Sequence, residues 1–459
     1  MNTVSQALSP VVQTINTYMS DYILIFLLIG TGLFYSIKTR FVQVRCFGEG
    51  IRKVFGNFSI NGKKSNSGLT SFQSLMTSIA AQVGTGNIVG ACGAIIVGGP
   101  GAIFWMWIAA FLGMATIYAE AVLAQKTKII KGDGSVLGGP VYYIKKAFNN
   151  KLGDFLAKFF SVSIILALGF TGSMVQANAI AETSSNAFDI PSWIIGAIIA
   201  AFASFIFIGG TQRIASATEK IVPIMAVLYI FLCLSVLIVK VNELPKAIGM
   251  IFRYAFQPQA IIGGSLGTAL KATISQGVKK GLFSNEAGMG STPHAHAMAN
   301  VNTSHEQGVV AMIGVFIDTF IILTMTALVA ITTFYVNDSP LSDGITKSNM
   351  IAIAFSEIFG ENLGRSLVAV CLFFFAFSSI IGWNLFCRIN VEYLFGKQAI
   401  RVYSFLAVIF IFLGSLFPND LVWELSEMFN NLMVIPNVAA LIALSHIVIN
   451  AVNKDTSKK

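Results

Sequence analysis

Three polar islands interrupt otherwise apolar stretches of this chain, and their residue types suit the holding of a small ion and a small polar molecule. The first is Ala80-Ala81-Gln82-Val83-Gly84-Thr85-Gly86-Asn87-Ile88-Val89-Gly90. Two glycines around Thr85 let the backbone leave helical geometry and let a ligand approach it closely. Tight helix packing through small residues is the alternative, but Asn87 needs a partner at that depth. The second island runs from Ser275-Gln276-Gly277 through Lys279, Lys280 and Glu286 to Ser291. It is too polar to face lipid, and its alternative is a loop after a short span. The third is Phe375-Ala376-Phe377-Ser378-Ser379, followed by Gly382-Trp383-Asn384. Serine hydroxyls commonly bond back to their own helix. Their other use, beside unwound carbonyls, is as neutral oxygen ligands for a hard cation. No carboxylate adjoins the serine pair, which favours sodium over a divalent ion.

Ionisable residues within apolar runs are functional candidates by default. Here they are Glu120 and Asp318, the latter in Val315-Phe316-Ile317-Asp318-Thr319-Phe320. Asp318 could pair with a cation, relay a proton or serve a hydrogen-bonded structural role. Glu286 reads as structural, neutralised by Lys279 or Lys280. His294, His296 and His305 are expected to be solvated, because a zinc site needs further ligands at closer spacing. Ser291 and His294 could suggest an intramembrane hydrolase, but Pro293 between them disfavours regular geometry and no orienting acid is evident.

These residues must be positioned by membrane-spanning helices. Of 459 residues 55% are hydrophobic and only 11% charged, with a mean hydropathy of +0.74, whereas soluble domains carry roughly 25% charge. That excludes a soluble multi-domain enzyme and a disordered chain, and the alternating strands of a membrane barrel are absent. Apolar runs of roughly 20 residues recur as eleven segments: Asp21–Ile37, Phe72–Val97, Gly101–Gln125, Phe155–Glu182, Ser192–Gly209, Ser216–Lys240, Gly263–Asn300, Gly308–Phe334, Gly364–Cys387, Arg401–Pro418 and Leu425–Asn450. Segments 2 and 7 carry the first two islands. Each opens a group of five, the pattern of an inverted-repeat transporter with its site at the repeat interface. The chain then divides into an N-terminal segment and loop (1–67), two five-helix repeats (68–240 and 241–450) and a tail (451–459).

The net charge of +9 reflects loops rather than nucleic-acid binding. With the N-terminus outside, inside segments hold 21 Lys and Arg against 6 outside, a positive-inside pattern. That places the C-terminus in the cytoplasm and the protein in the cell (inner) membrane. The five cysteines, Cys46, Cys92, Cys233, Cys371 and Cys387, form no paired motif and read as small hydrophobes.

The motif Gly98-Gly99-Pro100-Gly101-Ala102-Ile103-Phe104-Trp105-Met106-Trp107 resembles a signature of the alanine or glycine:cation symporter family. Gly281-Leu282-Phe283-Ser284-Asn285-Glu286-Ala287-Gly288-Met289-Gly290-Ser291 is similar to its second hallmark, and Gly84-Thr85-Gly86-Asn87-Ile88 and Gly382-Trp383 also fit. The resemblance implies an all-α fold like that of the bacterial leucine transporter, with one extra N-terminal helix before a 5+5 inverted-repeat core containing two broken helices. It implies import of a small neutral amino acid, alanine or glycine, coupled to sodium, with no other cofactor and the lipid bilayer as its surroundings. Glutamine, a D-amino acid or proton coupling through Asp318 or Glu120 remain open. The implied sodium ligands are the carbonyls of Ala80, Val83 and Phe375 and the hydroxyls of Ser378 and Ser379, where many members carry threonines. The implied substrate set is Gly84, Thr85, Gly86, Asn87, Gln176, Ser275, Gln276, Gly277 and Trp383. Asn87 and Asp318 occupy positions where related folds place a second cation site.

Overall fold

In hydrocarbon every peptide group must find a partner within the chain, so the apolar runs fold as helices. The computed structural model describes residues 2–56, 68–257, 266–336, 344–416 and 420–456. Lys63, Lys64, Lys458 and Lys459, which weigh in the charge count, lie outside the described residues. Helix α1 comprises Asn2–Tyr18 and Ile25–Lys38, joined through the π-helical turn Met19–Leu24. It begins well before the expected Asp21. Next comes a broken pair, α2a (Ser71–Gln82) and α2b (Gly86–Gly98), bent by 50°. Then follow α3 (Ala102–Thr127), α4 (Lys151–Phe188), α5 (Ser192–Ile208) and α6 (Gly210–Val239). A second interrupted helix, α7a (Leu266–Asn285) and α7b (Pro293–Met298), precedes α8 (Ser304–Phe334), α9 (Glu361–Phe395), α10 (Ala399–Gly414) and α11 (Asp420–Ala443). These are the eleven expected segments in the expected order.

Polar connections contain more helix than the apolar runs disclose. Short helices lie at Phe47–Phe55, Pro140–Ala147, Leu244–Phe256 and Met350–Phe359, and a two-stranded hairpin pairs Ile129–Ile130 with Val136–Leu137. The last apolar run ends sooner than expected, with a separate helix at Ser445–Thr456.

Packing places both breaks in the interior. Helix α3 lies along α7a and α8, and α2a lies against α6, α8 and α9. A Cβ on Gly382 of α9 would come 3.1 Å from the Ala81 amide nitrogen, so the lack of a side chain there lets α9 approach α2a. Two further helices loosen near the centre. The π-helical turns Ile165–Gly172 of α4 and Phe316–Leu323 of α8 are the kind of bulge that often marks functional positions.

Candidate functional site

The break in α2 begins where Val83 adopts extended backbone (φ −83°, ψ 93°) after a helix started by a capping box of Thr70 and Gln73. Asn87 folds back so that its Oδ1 accepts the Gly84 N–H at 3.0 Å, and Gln176 Oε1 accepts the Thr85 N–H at 3.3 Å. Two freed amides are thus held by neutral side chains. Gly84 is required by crowding: a Cβ there would lie 2.4 Å from Ser379 Oγ.

On one side of this break the third island closes in. Ser378 Oγ lies 2.9 Å from the Phe375 carbonyl and 3.4 Å from that of Ala80, and Ser379 Oγ donates to the Phe375 carbonyl at 3.1 Å. The hydroxyls do bond back to their own helix, and they also meet α2a across the interface. Ala80, Val83, Phe375, Ser378 and Ser379 are all buried. Such a set offers oxygen without charge, which can replace the hydration shell of a monovalent cation.

On another side stands a buried acid. Asp318, in the π turn of α8, accepts from Asn87 Nδ2 (2.7 Å), Thr319 Oγ1 (2.8 Å) and Ser284 Oγ (3.1 Å). Asp318 therefore joins the α2 break to the end of α7a. Ser284 and Thr319 are not singled out by the sequence reading, although both lie inside quoted motifs.

Beside the α2 break lies a cavity of about 80 Å³, bordered by Thr85, Gly86, Gln176, Trp383, Asn430 and Glu427, with Lys279 and Lys280 among its other lining residues. The size suits a small molecule, because drug-sized sites run to roughly 300–1,000 Å³. Asn430 is buried and its Oδ1 has no hydrogen-bond partner. Sequence reading missed the Asn430-Asn431 pair. Its signal is two amides in an apolar run, where each needs a partner or a ligand.

Helix α7 departs from expectation. Ser275, Gln276 and Gly277 do not unwind; they lie on the continuous helix α7a. Gly277 packs against Ala102 and Trp105, and Gln276 against Gly98, so the structure does not bring them to the other site residues. Their polarity comes without any loss of helix. The break comes later, between Asn285 and Pro293, where Glu286, Gly288 and Gly290 all take positive φ. Glu120 accepts the Gly288 and Gly290 N–H groups at 3.1 and 3.0 Å, and Asn437 donates to the same carboxylate at 2.7 Å. Glu120 thus fixes an unwound segment.

Glu286 is bonded by Trp383 Nε1 (2.8 Å) and Ser291 Oγ rather than by Lys279 or Lys280. The lysines stand further back on α7a and border the cavity. Trp383 is therefore both a cavity wall and a link between α9 and the α7 break. The histidines are not solvated: His294, His296 and His305 are all buried. His294 stacks on Phe160 and Phe386 and meets Asn390, His296 meets Gln307, and His305 meets Tyr118. Apart from Gln307, 11 residues from His296, these partners are remote in sequence, so local composition could not disclose them. Ser291 Oγ donates to Glu286 while His294 Nδ1 lies against the Ser291 carbonyl, so the pair forms no nucleophile and base.

Comparison with known proteins follows the same lines. The sodium:alanine symporter family profile matches residues 5–459. A sodium/alanine symporter, AgcS, from Methanococcus maripaludis is 37% identical over 440 residues, covering 96% of this chain and 95% of the relative. A probable sodium/glutamine symporter, GlnT, from Bacillus subtilis is 35% identical over 455 residues, covering 99% and 92%. Among solved structures, MhsT in complex with L-phenylalanine superposes with a TM-score of 0.58 over 85% of this chain and 99% of its own, at 14% identity.

Proposed function

We propose, from the premise that this chain belongs to the sodium:alanine symporter family and is a multi-pass secondary transporter rather than an enzyme, that it imports a small neutral amino acid together with sodium. The observation that carries this reading is the cavity at the α2 break, lined by Thr85, Gly86, Gln176 and Trp383, with the neutral oxygens of Ser378 and Ser379 packed against the same break. A zwitterion's carboxylate suits the amides around Thr85 and Gly86 at the start of α2b, where the positive end of the helix dipole adds attraction. Its ammonium suits the oxygens of Gln176 and Asn430. Sodium sits among the carbonyls of Ala80, Val83 and Phe375 and the hydroxyls of Ser378 and Ser379. Trp383 limits side-chain volume and favours alanine or glycine, but one methylene changes binding by only about 1–3 kcal/mol. Asn87 and Asp318 hold the break in place; a second cation there is the refinement to test.

In this account the protein lies in the cell (inner) membrane with its N-terminus outside. The cavity is lined in part by Ser20 and Trp423, and the halves 68–240 and 241–450 move against each other. Coupling requires that ion and substrate stabilise the same conformation. One charge moving through ~100 mV contributes about 2.3 kcal/mol, and a tenfold sodium gradient about 1.4 more. Together these suffice to concentrate a neutral substrate several hundredfold. The test is uptake of labelled alanine into proteoliposomes. Accumulation is expected with sodium outside; equal uptake with choline would refute sodium coupling.

A further inference from the structure

Away from the transport site, a sulfur, a carboxylate and an imidazole meet at the foot of α8. Cys46 and Glu49 stand three residues apart at the start of the helix Phe47–Phe55, on one face. His305 lies in the first turn of α8. The two helices pack closely: a Cβ on Gly50 would come 2.7 Å from the Val309 carbonyl. Lys53 and Glu306 form an ion pair at 2.6 Å alongside. Each of Cys46, Glu49 and His305 offers one ligand atom, all within 4.8 Å of one another.

We propose that Cys46, Glu49 and His305 form a zinc site that fastens the helix Phe47–Phe55 to α8. The His305 Nε2 to Glu49 Oε2 distance is 3.7 Å, beyond a hydrogen bond. It lies close to the roughly 3.3–3.5 Å that separates two N or O ligands on a tetrahedral zinc with bonds of about 2.0–2.2 Å. The other ring nitrogen, Nδ1, lies 2.6 Å from the Tyr118 hydroxyl. A partner on that nitrogen fixes the ring and leaves Nε2 facing Glu49, as outer partners do for metal-bound histidines. Cys46 and His305 are buried, while the Glu49 side chain keeps 15% exposure, room for a water as fourth ligand.

The donor set selects the metal class. A sulfur ligand disfavours magnesium and calcium, whereas thiolate with imidazole and carboxylate suits zinc. Binding releases the Cys46 thiol proton to solvent. This assignment does not rest on the transport reading, because none of the three residues borders the cavity.

The test uses full-length protein in detergent with any polyhistidine tag removed. It is loaded with zinc, passed over a chelating resin and assayed for metal by mass spectrometry. Wild type should retain about one zinc per chain, and Cys46→Ser and Glu49→Gln should each lose affinity by about tenfold or more. Gel filtration and circular dichroism check that the variants fold. Should a variant fail to fold, cobalt loading of wild type decides, since a sulfur-to-cobalt charge-transfer band is expected. Trace zinc in wild type, unchanged retention in both variants, or cobalt bound without the sulfur band would each overturn the proposal.

Discussion

The break in α7 is held by buried carboxylates of the protein, while the break in α2 is held by neutral side chains; both border the cavity, through Met289 in the first and Thr85 and Gly86 in the second. Glu120 takes the Gly288 and Gly290 amides, and Glu286 is held in turn by Trp383 and Ser291. At α2 the partners are Asn87 and Gln176, with Thr85 and Gly86 lining the cavity. Unwinding alone therefore does not mark a ligand site. A break satisfied by acids of the chain leaves little for an anionic ligand, whereas one satisfied by amides can exchange them for a carboxylate. On the proposed reading, the α7 break is chiefly architecture and the α2 break is where the substrate carboxylate binds.

The largest effect expected from this contrast is on stability. Glu120→Ala leaves two buried amides without their acceptor, at a cost of about 1–3 kcal/mol for each, and leaves Asn437 only the Gly288 carbonyl. Thermal unfolding in detergent should show a large loss that neither sodium nor alanine restores. A variant that melts normally but fails to transport would move α7 into the binding machinery. Second in size is Gly84→Ala, whose methyl would press on Ser379. Overpacking of this kind costs about 1–3 kcal/mol, so sodium-driven uptake should fall by roughly tenfold or more. Unchanged uptake would mean that Ser379 is free to move and is not a fixed ligand.

Much of this arrangement was legible in the sequence. The Gly84-Thr85-Gly86-Asn87 run marked the α2 break because glycine pairs and an amide have few other uses inside an apolar segment. The polar island Ser275 to Ser291 contains the α7 break but starts well before it, since the polarity of Ser275 to Lys280 resembles unwinding. In the fold that stretch stays helical, with Gly277 packed on α3 and Lys279 and Lys280 bordering the cavity. The positive-φ glycines Gly288 and Gly290 were the better signal. Buried histidines and the role of Glu120 were hidden for a different reason: their partners lie far along the chain, such as Asn437 for Glu120 and Tyr118 for His305.

Smaller effects sharpen the contrast further. Gln176→Ala removes the acceptor of the Thr85 amide and one oxygen from the cavity, so alanine binding should weaken by about 1–1.5 kcal/mol, roughly five- to tenfold. Calorimetric titration in saturating sodium measures it; no change would remove Gln176 from the site. The smallest effect belongs to Trp383→Phe, which keeps an aromatic wall but loses the bond to Glu286. A loss of about 1 kcal/mol in stability is expected, with the preference among small amino acids retained. A switch toward larger substrates would instead make the indole the principal filter.

The account depends most on the serine pair of α9 holding sodium against the α2 break. The direct measurement is the affinity for alanine, with and without sodium, in wild type and in the double variant Ser378→Ala with Ser379→Ala. Sodium should tighten alanine binding in wild type and leave it nearly unchanged in the variant, while the variant stays folded. An equal tightening by sodium in both proteins would contradict the account.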